Sequence, residues 1–185
     1  MKRFVARIIV LATLLSGCGN TPDRPFTGAE IQQFLTQHTL QPLAVQTIDG
    51  LVTVIAWKTP TNAGCDMMTS YHPHVQDHYF GTRNALAASI TTPDSGTRVV
   101  ASHSSILLTR HEVVCMVMLD PLLQAEVKQV RVVFFDGTQQ VLDVDNQAVI
   151  VASRLASTLS TQEPEITMYD AAGTLVLTVD PRTIR

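Results

Sequence analysis

The chain has 185 residues and a formal charge of −3, with 45% hydrophobic, 5% aromatic and 16% charged residues. That length suits one domain or two small ones. A slightly acidic, sparsely charged chain lacks the basic footprint that nucleic acid or an anionic lipid surface requires, so both are excluded as electrostatic partners. Abundant Val, Leu, Ile and Thr point to a β-rich core.

In chain order the first feature is a leader. Met1 to Arg7 carries Lys2, Arg3 and Arg7 and no acid, Ile8 to Leu15 is apolar apart from Thr13, and Ser16 and Gly17 precede Cys18. This charged, apolar, small order predicts a secretory signal over residues 1–17 rather than the first helix of a domain. The apolar run is about half of the roughly 20 residues that a membrane span needs.

Leu15-Ser16-Gly17-Cys18 resembles the lipobox of bacterial lipoprotein precursors. The resemblance implies cleavage before Cys18, a diacylated Cys18 sulfur and a further acyl chain such as palmitate on the new amine. Each buried methylene contributes about 0.8 kcal/mol, so several acyl chains hold a protein firmly where one would not. The implied place is the cell membrane, outside the cytoplasm. Gly19, where an Asp would imply inner-membrane retention, leaves the outer membrane open in a host that has one. Without residues 1–17 the thirteen Lys and Arg fall to ten against sixteen acids, a formal charge of −6.

Residues 18–26 read as a lipidated tether containing Pro22 and Pro25. Thr27 and Glu30 have capping-box spacing, and Phe26 with Ile31 forms a hydrophobic staple. Ile31, Phe34, Leu35 and His38 then share one face, which predicts a helix over about 28–39, stopped before Pro42. His38 at its end is expected at the surface.

Leu43–Ile48, Asp49-Gly50 and Leu51–Trp57 predict a hairpin. Its second strand is apolar on both parities, so it is expected to be covered on both faces, and Thr53 there needs a partner if buried. Residues 58–70, with Pro60, Asn62 and Gly64, read as a loop. Arg83–Thr91 and Arg98–Ser105 read as strands parted by a turn at Pro93-Asp94-Ser95-Gly96. Ile106–Leu119 predicts a second two-sided strand that Asp120-Pro121 ends.

Val127–Phe135 and Gln139–Val144 predict a hairpin about Asp136-Gly137, Ala148–Ala152 a strand, and Ser153–Pro164 a polar connection. Ile166–Tyr169 and Leu175–Val179 predict a closing hairpin. Short strands at regular spacing predict a mainly β domain over residues 27–185, an antiparallel β-sandwich with one N-terminal α-helix packed on it. The segment from Val127 to Val179 is similar to small secreted β-sandwich modules of Gram-positive surface proteins, a resemblance that implies no chemistry.

With Cys18 assigned to lipid, Cys65 and Cys115 remain. Outside the cytoplasm two such residues predict one disulfide; the alternative is two separate thiols. Cys65-Asp66-Met67-Met68, His72-Pro73-His74 and His78 form the first candidate site. His72, His74 and His78 have equal parity and share one face of an extended strand. With Met67 and Met68 they suit copper, and with a carboxylate they suit zinc. The spacing matches no tight ligand motif, and solvated histidines are the simpler reading.

Asp94-Ser95-Gly96-Thr97 looks like the aspartic protease motif, but Thr92-Pro93 stands where that family has apolar strand residues, and the sequence suits a turn. Ser102, His103, Ser104 and Ser105 offer parts of a hydrolase triad without a nucleophile elbow, and one solvated strand face is the simpler reading. His111-Glu112 lacks the second histidine of a zinc protease. No cofactor is implied beyond the lipid, or copper or zinc under the metal reading. The expectation is a non-catalytic binding or accessory module with an envelope protein or ligand as partner. A surface metal binder is the first alternative and a hydrolase with a dispersed site the second.

Overall fold

The computed structural model describes residues 25–50, 52–68, 84–89, 98–106, 110–144, 149–156 and 162–179. Thr27 opens the first helix, α1 (Gly28–Gln37), with the capping box in place: its hydroxyl accepts from the Glu30 amide, and the Glu30 carboxylate accepts from the Thr27 amide at 2.8 Å. The helix closes two residues earlier than its periodicity predicts. Thr39 takes a left-handed φ of 54°, and the amides of Leu40 and Thr39 donate back to the carbonyls of Leu35 and Thr36. This is a Schellman closure with threonine where glycine is usual.

The strands form three antiparallel sheets. The first takes β1 (Gln41–Ile48), β2 (Val52–Lys58), β3 (Asn62–Met68) and β4 (Asn84–Ser89) in chain order. Asp49 and Gly50, both at positive φ (50° and 64°), turn β1 into β2. Asp and Gly are residue types that enter this left-handed region readily. The central sheet holds β5 (Val99–Ile106), β6 (His111–Met118) and β9 (Val149–Leu155), with β6 in the middle. The third sheet runs β11 (Leu175–Thr178), β10 (Glu165–Tyr169), β7 (Gln129–Val133), β8 (Gln139–Asp143). Gly137, at φ 82°, closes the β7–β8 turn, and the hydrogen bonds of that turn recur in the β10–β11 turn.

Alternation along the strands stacks these layers. Ile55, Trp57 and Met68 on one face of the first sheet pack on Phe26, Phe34 and Leu35 of the α1 region. Val52, Val54, Ala56, Ala63, Cys65 and Met67 on its other face meet Val113, Cys115 and Val117 of β6. Val114, Met116 and Met118, on the opposite face of β6, meet Val130, Val132 and Phe134 beside β7 and Ile166 and Met168 of β10. The mainly β, antiparallel sandwich with α1 packed on it is therefore the fold, with three stacked sheets. β2 and β6 are the two-sided strands that their apolar parity predicts.

Three local readings are corrected. Residues 62–68 form β3, a fully paired strand, where a loop was expected. Gly64 lies opposite Trp57, so the small residue that looked like a loop marker sits beside the bulkiest side chain of β2. Asp120-Pro121 not only ends β6 but starts a short helix, α2 (Pro121–Glu126). Asp120 accepts from the Leu122 amide at 2.8 Å as its N-cap, and Pro121 occupies the first turn. Ser153–Leu155 continues β9 because its polar residues meet partners on β6 rather than solvent.

Candidate functional site

The residues first suspected lie apart. Cys18, His72, His74, His78 and Asp94 to Thr97 fall outside the described residues. Met67 and Met68 are both buried, and as neighbours in a strand they point to opposite faces, Met67 toward the central sheet and Met68 toward α1. Cys65 and Cys115 are joined in a disulfide with their Cα atoms 6.2 Å apart, linking the first sheet to the central one. His38 caps α1 at the surface, its ring 4.6 Å from that of Phe34. Among the described residues no group of three or more His, Cys, Asp or Glu side chains is placed to hold a metal ion.

The strand face read as solvated is turned inward. Ser102 is buried on the side of Cys115, and the His103 side chain, 6% exposed, enters the space between the central and third sheets. Around it lies the chief polar cluster among the described residues. Glu112 of β6, 1% exposed, sits directly opposite Arg154 of β9. Arg154 donates to Glu112 Oε2 through Nη2 at 2.6 Å and Nε at 3.1 Å, and through Nη1 to Asp136 of the β7–β8 turn. Its guanidinium carbon lies 4.7 Å from the centre of the Phe134 ring. The Gln140 side-chain amide of β8 donates to the Ser153 carbonyl of β9. His103 Nδ1 stands 3.5 Å from Glu163 Oε2, just before β10.

The electrostatics follow from this placement. Burial holds the His103 ring below its ordinary pKa; the nearby Glu163 and Glu112 carboxylates oppose this and Arg154 reinforces it. The Thr138 hydroxyl and amide, and then Arg154, hold the Asp136 carboxyl below the usual carboxylate range. Thr138 reaches it at 2.6 and 2.9 Å. A second pair closes the other interface: His111 Nδ1 of β6 lies 3.3 Å from Asp49 Oδ2 of the β1–β2 turn.

A histidine with a carboxylate at Nδ1 has the orientation of a general base. Here, however, Nε2 is buried and has no hydrogen-bond partner among the described residues, so the ring is not offered to a substrate in this arrangement. What the cluster does chemically is bind sheet to sheet. Sequence reasoning gave Arg154 and Glu163 no role and Asp136 only a place in a turn, since the partners stand far apart along the chain. One signal was available: Glu112 is the one carboxylate in residues 106–119, a segment read as a two-sided buried strand, and a buried charge calls for a partner.

No protein family, curated protein or solved structure matches the chain.

Proposed function

We propose that the chain is a lipoprotein held outside the cytoplasm by acyl chains on Cys18, its β-rich body serving as a non-catalytic binding or accessory module at the membrane. The observation that carries this reading is Leu15-Ser16-Gly17-Cys18 directly after a basic stretch and a short apolar run. The Cys65–Cys115 disulfide supports the compartment, since such bonds persist where the surroundings are oxidising. The inward turn of His103, Glu112 and Arg154 supports a structural use of the only strongly polar cluster among the described residues.

The test is the Cys18→Ala substitution in the producing cell. The expected outcome is loss of palmitate labelling together with either an uncut precursor or release from the membrane fraction. Normal processing with unchanged membrane fractionation would overturn the anchor. Soluble, labelled-lipid-free wild-type protein with a bare amine at residue 18 would do the same.

A further inference from the structure

We infer that His103 is an acid-sensitive latch between the central and third sheets: its neutral ring closes that end of the interface, and a second proton on the ring opens it. The inference is independent of the lipid anchor.

The geometry makes the ring's two nitrogens unequal. Nδ1 faces the Glu163 carboxylate, which fixes the tautomer with its proton there. Nε2 has no partner among the described residues and is buried, so it tolerates a lone pair far better than a proton. Charged groups face the ring from each surrounding element: Glu163 before β10, Glu112 on β6 and Arg154 on β9, with Asp136 of the β7–β8 turn behind Arg154. The two carboxylates favour the charged ring. The arginine and burial oppose it, and burial is the largest of these effects.

The sign follows from linkage. The ring's pKa in the closed interface lies below its ordinary value of about 6.5, so a state in which it meets water binds protons more readily. His103 therefore favours the closed form fully above that value, and the advantage shrinks as pH falls toward the closed-form pKa. Protons come from solvent and add to Nε2; no bond breaks. Between pH 7.5 and 5.5 the ratio of open to closed states rises up to about tenfold. The opening is local because the joint on the first-sheet side is closed by the Cys65–Cys115 disulfide, which acidification leaves intact.

Hydrogen–deuterium exchange of the full chain at pH 7.5 and 5.5, corrected for intrinsic rates, tests this. Expected is a loss of protection of up to about tenfold in β7, β10 and the β7–β8 turn, with β2 and β3 unchanged, and no such loss in His103→Gln. Equal loss in every sheet, or an unchanged response in His103→Gln, would overturn it. Should that variant fail to fold, exchange at the imidazole carbon of wild-type His103 gives its titration midpoint directly. A midpoint below 6.5 supports the latch. One at or above 6.5 sinks it.

Discussion

The two faces of β6 make different bargains with their neighbours. Toward the first sheet, Val113, Cys115 and Val117 enter an apolar layer closed by a covalent bond, with the His111–Asp49 contact at its rim. Toward the third sheet, Val114, Met116 and Met118 enter a comparable apolar layer, but the same strand adds Glu112 and the interface ends in charge. The first interface depends on little besides dryness and oxidation. The second depends on a cation, three carboxylates and a histidine each keeping its protonation state. One strand thus carries a permanent joint and a conditional one. The conditional joint is where a change in medium can act without unfolding the rest.

The largest way to break this contrast is at the permanent joint. Cys65 and Cys115 close a loop of 50 residues, which in the chain-entropy treatment stabilises the fold by about 4 kcal/mol. The double substitution Cys65→Ala, Cys115→Ala is expected to cost about that much in denaturant unfolding. Full-strength unfolding after the substitution would show that the apolar layer alone holds the two sheets.

The conditional joint should break for a smaller loss. Arg154→Met leaves Glu112 buried without its cation and is expected to cost about 3 kcal/mol, at the lower end for such pairs because Asp136 retains some water. Adding Glu112→Leu should restore most of that loss, since an apolar pair of similar volume packs without desolvated charge. A single-mutant cost below about 1 kcal/mol would place the pair among surface ion pairs and erase the contrast. Guanidinium would blur an ionic readout, so urea unfolding is the measurement.

The apolar half of this contrast was legible in the sequence and the polar half was not. Runs apolar on both parities at Val52–Trp57, broken only by Thr53, and at Val113–Met118 announce strands buried on both faces, and Thr27 with Glu30 announces the start of α1. Those signals are local, set by parity and by spacing of three or four residues. β3 escaped because Asn62, Gly64 and Asp66 carry turn-like chemistry, and only the paired strands on both sides show why they are tolerated there. His103 escaped for a related reason. Alternation with serine suggests a wet face, and what dries that face is the third sheet, brought over it from residues beyond 128. Arg154 and Glu112 stand 42 residues apart, and no periodicity connects them.

The smallest expected effect sharpens the account of the first sheet. Thr53 is fully buried on β2, and its hydroxyl has no hydrogen-bond partner among the described residues. Its neighbours across the ladders are Thr47 and Met68, and the layer above that face is the apolar contact with α1. A buried hydroxyl without a partner has lost its water and gained nothing in return, at a cost of about 1–3 kcal/mol. Thr53→Val keeps the β-branch and nearly the same volume while removing the oxygen, so packing is preserved and the desolvation cost disappears. The variant is expected to be more stable than wild type by about 1 kcal/mol. Trp57 is the only tryptophan in the chain and packs in the same layer, so its fluorescence follows unfolding of that layer directly. A destabilised Thr53→Val would mean that the hydroxyl is satisfied in solution and that the layer beneath α1 is wetter than its contacts imply.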